Sequence, residues 1–434
     1  MNHFFEIAYA TVSNRICFFT GTGFSKAVTE NQAPSWQKLL EMLCDLCEEP
    51  EEIKEALFPA GKDMPLSLEE SAQAIEIELL KNDKQIHEET AKIIKEISLS
   101  GDNTEILKFI QTRPYRAITT NYDKLLEKLT GEEECHSLTP GLPIPRYHAR
   151  AKIYHVHGSI DAPESMVITS DNYFKFINNE SYFSRKLSTT LHENTVVILG
   201  YSLGDTNLKA IVNDYRMFSK SHTIGSNIFL ISRSKVNNKL KDFYSHCYGI
   251  RVIDNIEIQD FFKQLNASLP EAEKCVKASL QNIRKVIHEG HSFTKDFLKR
   301  EDAFFEIIAS ISAIGLSIND HRVVKALAEI IKSKTELTES YNAWDQYEHL
   351  ARWLIYLATI LEIQKTSLEE VFLSSTLRSM TTMRKTSYIG YSWHAYKSWD
   401  SRWNNIIASN RALIKKHILK NTTWNDALSI VKRG

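Results

Sequence analysis

The sequence predicts a doubly wound α/β fold: a mostly parallel, Rossmann-like sheet covered by helices, followed by an α-helical C-terminal domain. Three observations carry this. Short, nearly all-apolar runs alternate with helical stretches over the first two-thirds of the chain, the pattern of strands buried on both faces. Several of those runs end in turns rich in Gly, Ser, Asn or His. Beyond about residue 270 strand signals and Gly/Pro punctuation become sparse, and Pro270 is the last proline.

Taken in order, residues 16–20 (ICFFT) read as a buried strand ending in a glycine turn. Residues 36–58 and 67–99 have helical periodicity and good helix formers. Residues 116–120 (RAITT), 152–156 (KIYHV), 195–199 (TVVIL), 227–232 (NIFLIS) and 250–253 each read as a short strand. Residues 271–287, 293–314, 320–332, 341–363, 368–380 and 403–420 read as helices. The expected division is 1–268 for the α/β domain and 269–434 for the helical one. A chain of 434 residues has room for both.

Composition narrows the class. Apolar residues at 43% and charged residues at 25% are those of a globular protein. Net charge is −1, but unevenly spread: residues 371–434 carry eleven Lys/Arg against Asp400 and Asp426, while residues 1–270 carry 29 Lys/Arg against 36 Asp/Glu. A basic tail beyond an acidic body points to charge-complementary assembly or to contact with a polyanion, direct nucleic-acid contact being left open; a solvated basic helix face is the plainer reading. The tail also holds Trp393, Trp399, Trp403 and Trp424, as an interface or a small helical core would. Of six cysteines only Cys44 and Cys47 form a C-x-x-C pair. A structural zinc site needs four ligands, so no metal is expected and reduced thiols in a cytoplasmic protein are. The start of the chain lacks an apolar signal-peptide core, and its longest apolar run is too short to span a bilayer.

Four turns carry the chemistry. Gly21-Thr22-Gly23-Phe24-Ser25 follows the first strand; glycines there let the backbone approach a phosphate, and free N–H groups at the next helix would face the anion. Thr120-Asn121-Tyr122-Asp123 closes the second, where Asn121 and Asp123 can hold ribose hydroxyls, a carboxamide or a water, or else cap the next helix. His155-Val156-His157-Gly158-Ser159 closes a third. His157, nearer the turn, is placed for general-base work, against the alternatives of a structural histidine or a metal ligand; His155 reads as packing. Gly200-Tyr201-Ser202-Leu203-Gly204-Asp205 closes a fourth, with Asp205 a helix cap or a ribose contact. Each turn alone is weak. Four at the ends of buried strands converge on one sheet edge.

In this order the motifs resemble the sirtuin superfamily, and in particular its branch in bacterial antiphage defence. T-N-Y-D at 120–123 stands where deacylases have Q-N-I-D, Pro34-Ser35-Trp36 matches the branch's P-S-W, and G-Y-S-L-G-D at 200–205 matches its last nucleotide turn. The resemblance covers about residues 12–255. It implies that Gly21, Thr22, Gly23 and Ser25 hold the pyrophosphate. It implies that Asn121 positions the nicotinamide ribose and a water, beside Thr120, with Asp123 near the nicotinamide or holding Asn121. His157 would be the catalytic histidine, and Gly200 and Ser202 would contact the adenosine side. The zinc-ribbon cysteines and the G-I-P-x-F-R loop of deacylases are missing, so the expectation is water as nucleophile. NAD+ would then be the substrate of a glycohydrolase, split into nicotinamide and ADP-ribose.

The family also implies an abortive-infection effector that works as a homo-oligomer through its C-terminal domain, with a separate HerA-type ATPase as partner, since the sequence holds no P-loop. The competing readings are a protein deacylase or ADP-ribosyltransferase on the same fold, and a non-catalytic scaffold that binds NAD or ADP-ribose.

Overall fold

The structure is a computed structural model and describes residues 3–61, 63–178, 190, 193–201, 228–313, 316–340 and 343–432. Seven strands form one all-parallel sheet: β1 Ile16–Thr20, β2 Tyr115–Thr119, β3 Cys135–Leu138, β4 Ala151–His155, β5 Thr195–Leu199, β6 Ile228–Ser232 and β7 Ile250–Asp254. Their order is β3-β4-β2-β1-β5-β6-β7. From β1 the chain winds first toward β2 and β4, then returns to β5 on the other side. The crevice beyond the carboxyl ends of β1 and β5 is therefore the topological switch point, where this fold class binds ligands.

Alternation along the strands divides the core. Phe18, Ala117, Ile153, Val197 and Phe229 face one side, and Cys17, Phe19, Ile118, Tyr154, Val196, Ile198 and Leu230 face the other. A third cluster builds a helical cap above the sheet edge from α3 (Trp36–Cys44), α4 (Pro50–Leu57), α5 (Leu68–Leu80) and α6 (Ile86–Lys95). Serines start two of these helices. Ser35 accepts from the Lys38 N–H at 3.2 Å, and Ser67 with Glu70 forms a capping box. Cys44 and Cys47 are buried in this cap, where burial pushes the Cys44 thiol up to about 12.

The predicted strands fall where expected, with ends shifted by a residue. The sequence reading passes over β3, which is four residues long, carries a histidine and a serine, and lies on an edge. It also passes over α1 (His3–Val12), whose mixture of polar and aromatic residues hides its partner. α1 packs on the long helix Ile258–Glu289, which runs through the division expected at 268/269. Pro270 sits on the exposed side of that helix, where it removes one backbone N–H from the helical ladder. The change in composition thus falls inside a helix, and one apolar cluster continues from the sheet through α1 into the C-terminal helices. Those helices are Lys295–Lys299, Ala303–Ala313, His321–Leu337, Trp344–Ile360, Glu369–Thr381, Trp393–Arg402, Ala408–Asn421 and Asn425–Val431. Among the described residues no helix is long and apolar enough to cross a membrane.

Candidate functional site

The site begins with a crossing of two turns. After β1, α2 (Thr22–Val28) starts at once. The N–H of Gly21 donates to Leu199 O at 3.0 Å and that of Gly23 to Gly200 O at 3.0 Å. A Cβ on Gly23 would lie 2.7 Å from the Gly200 Cα, and one on Gly200 would lie 2.1 Å from the Phe24 nitrogen, with Gly200 already at φ +77°. Only glycine fits at either position. The N–H groups of Gly21 and Gly23 are thus engaged with the β5 turn. These glycines bring β1 and β5 together at the switch point.

Beside this crossing lies a cavity of about 820 Å³, large enough for a dinucleotide. Thr22, Gly23, Ser25, Thr120, Asn121, Asp123, His157 and Gly200 all line it. Gly21 lies beneath the Tyr201 ring, 2.6 Å from where its Cβ would stand. Ser202, with Gly204 and Asp205 of the same turn, lies outside the described residues.

The polar groups on the wall form a chain. The Asn121 amide Nδ2 donates to Ser25 Oγ at 2.7 Å, and Ser25 Oγ donates to Asp123 Oδ2 at 2.6 Å. Asp123 Oδ1 takes the Leu125 N–H at 3.1 Å at the start of α8 (Leu125–Thr130), so it serves the helix and the wall at once. Burial pushes the Asp123 carboxyl up, against the Ser25 and Leu125 hydrogen bonds. With Nδ2 committed, the Asn121 Oδ1 is the atom left to accept from a hydroxyl or a water.

His157 lies just past the end of β4 and is 5% exposed. Its ring meets Tyr173 and Phe176 of α9 (Ser170–Asn178) edge-on, with centroids 5.5 and 4.9 Å away. Burial in this apolar collar lowers its pKa to about 4. His157 is therefore neutral near pH 7, the form that accepts a proton. His155 faces the other way and is fully buried. Among the described residues no group of three or more His, Cys, Asp or Glu side chains is arranged to hold a metal ion.

Sequence reasoning missed part of the wall. Tyr201 donates to or accepts from Thr120 Oγ1 at 2.5 Å, and Trp36 meets Tyr122 edge-on at 6.1 Å. Both sit inside quoted motifs, G-Y-S-L-G-D and P-S-W, but their side-chain contacts run to distant segments. Lys26, Glu69 and Tyr173 also line the cavity with no local signal.

The sheet order, the glycine crossing and the lined cavity define an α/β domain of the doubly wound class with a cavity at its switch point. Residues 116–253 match the SIR2-like domain family. The chain is 23% identical over 269 residues to defense-associated sirtuin 2 of Bacillus subtilis, covering 59% of this chain and 24% of that one. It is 25% identical over 273 residues to the NAD(+) hydrolase ThsA of Acinetobacter baumannii, covering 58% and 56%. It is 34% identical over 128 residues to ThsA of Enterococcus faecium, covering 28% and 26%. The matches thus span between about a quarter and just over half of these relatives' lengths.

Proposed function

We propose that the chain is an NAD+ glycohydrolase that cleaves NAD+ to nicotinamide and ADP-ribose, with water as nucleophile and no metal. The observation that carries this is the wall of the cavity: the Asn121–Ser25–Asp123 chain and a neutral His157 line one space at the sheet's switch point. The NAD(+) hydrolase activity for which the ThsA relatives are named supports it.

The chemistry follows from the charges. Nicotinamide leaves as a neutral molecule from a cationic pyridinium, and the ribose C1′ becomes oxocarbenium-like. A cavity wall with an oriented amide carbonyl and a nearby carboxyl favours that positive centre. Asn121 Oδ1 holds a ribose hydroxyl or the incoming water on the face opposite the leaving group. Water forms the new C–O bond as the C–N bond breaks, and its proton passes to His157. NAD+ and water thus give nicotinamide, ADP-ribose and a proton.

At the level of the cell the proposal is an NAD-depleting antiphage effector in the cytoplasm. Residues 269–434 would assemble it into a homo-oligomer, and a separate HerA-type ATPase would be its partner. The name of the Bacillus subtilis relative and the basic C-terminal region support this part. The test is NAD+ consumption by the purified chain without any acceptor, alone and co-purified with its native partners. Release of equal amounts of nicotinamide and ADP-ribose is expected. Turnover only when an acylated or nucleophilic acceptor is added would overturn hydrolysis.

A further inference from the structure

We propose that His155, seated on Glu127, is a positioning residue that clamps the main chain of Asn121 from inside the sheet. The proposal rests on the reading of this cavity as the NAD+-cleaving site. His155 ends β4 in register with Thr119 of β2 and is fully buried. Its Nδ1 lies 3.2 Å from the Asn121 carbonyl oxygen, and its Nε2 lies 2.7 Å from Glu127 Oε1.

Hydrogen-bond counting fixes the role of Nδ1. The Asn121 carbonyl can only accept. Glu127 Oε1 also receives Lys124 Nζ at 2.9 Å and Ser137 Oγ at 2.7 Å. Beside His155 and Lys124 the Glu127 carboxyl is held down at about 2 against the pull of burial. Nδ1 of His155 therefore donates to the Asn121 carbonyl, and Nε2 is seated on Glu127. Lys124 also pairs with Asp161 at 2.7 Å and hydrogen-bonds Ser137. Asp123 adds a further acid on the same turn.

The clamp supplies the third hold on one residue. The Asn121 N–H donates to Thr119 Oγ1 at 3.1 Å, its side chain to Ser25, and its carbonyl takes His155. Through Glu127, Ser137 and Lys124 the turn is tied to α8, β3 and the loop after β4. Misplacing a reacting group by about 1 Å costs on the order of 100-fold in rate.

The test uses the full chain in whichever assembly turns over NAD+. His155→Leu removes both ring nitrogens, Glu127→Gln removes the carboxyl that seats the ring, and His155→Asn keeps an amide that can still reach the carbonyl. His155→Leu and Glu127→Gln should lower kcat by about 10- to 100-fold, with ADP-ribose affinity by calorimetry unchanged. His155→Asn should recover part of the loss. Wild-type kcat in His155→Leu, or kcat and ADP-ribose affinity falling together in all three, would overturn the clamp. If His155→Leu fails to fold, the other two variants still decide. Nitrogen-15 histidine spectra of the wild type give a readout free of turnover: Nδ1 of His155 should carry the hydrogen that bonds the Asn121 carbonyl. A bare Nδ1 there sinks the clamp. A wild type that consumes no NAD+ would instead sink the hydrolase reading, while the spectrum still rules on His155.

Discussion

Asn121 and His157 do different work, and their surroundings say so. Asn121 is tied to its neighbours and keeps one acceptor for the ligand; His157 touches aromatic edges and is kept neutral by burial. Asn121→Ala should lower kcat about 100- to 1,000-fold and His157→Ala about 100- to 10,000-fold, with unfolding midpoints close to wild type. Unchanged turnover in the double variant would remove the site. The His157 environment also sets an acid limit. Its folded pKa of about 4 lies below the ordinary value of 6.5, so between those values the unfolded chain binds more protons. Stability therefore rises with pH across that window and is lost as pH falls through it, by up to about 3 kcal/mol for this group. Urea titrations from pH 7 down to 4.5 should show the loss, and His157→Phe should flatten it. An equally steep acid limb in His157→Phe would assign the effect elsewhere. That these residues share one cavity was legible because polar turns after buried parallel strands meet at the carboxyl edge of the sheet. Tyr201 and Trp36 were not, because their partners Thr120 and Tyr122 are far away in sequence.

At the scale of elements, the strands were legible wherever both faces are buried, because such strands are apolar runs with turn residues at the end. β3 fails that test on an edge, with His136 and Ser137 in four residues. α1 fails differently: it is a buried helix whose polar members have partners only in the fold. Glu6 of α1 pairs with Arg251 of β7 at 2.6 Å and accepts from Tyr356 of the helix Trp344–Ile360 at 2.8 Å. Arg251 in turn lies over the Phe229 ring at 4.1 Å. Arg251→Met would leave Glu6 buried without its counter-charge and should cost about 3–5 kcal/mol, most of it recovered in Glu6→Gln/Arg251→Met. Chemical denaturation measures both, and a single variant within about 0.5 kcal/mol of wild type, the range of an ordinary surface change, would contradict the account. The turn after β5 makes a second element-scale prediction. Gly200→Ala places a methyl against the Phe24 nitrogen at positive φ. It should destabilise the fold by at least about 2 kcal/mol and abolish nucleotide binding, while Gly390→Ala, at φ +89° with open space around it, should bind nucleotide as wild type.

The whole molecule joins an acidic α/β body to a basic helical region through one continuous core. The division expected at 268/269 rests on a change in composition, and periodicity cannot show that a helix continues through Pro270 or that α1 returns to pack on it. The basic region ends in a braced apolar tip. Tyr388 and Ile389 are 60% and 89% exposed. Arg384 lies 4.4 Å from the Tyr388 ring centroid, and Tyr391 stacks on Trp424 at 5.1 Å. Under the proposed homo-oligomer, this preordered turn, within a region of net positive charge, would meet the acidic body of a second copy. The expected outcome in light scattering is a mass several times that of one chain at low salt. Surface charge pairing weakens as the Debye length falls from about 10 Å at 0.1 M to about 3 Å at 1 M salt, so the mass should drop across that range. Ile389→Asp should lower it further at every salt concentration without moving the thermal midpoint, because the side chain supports no packing within its own chain. A single-chain mass at all salts, or an Ile389→Asp assembly indistinguishable from wild type, would rule this contact out and return the basic tail to a solvated helix face.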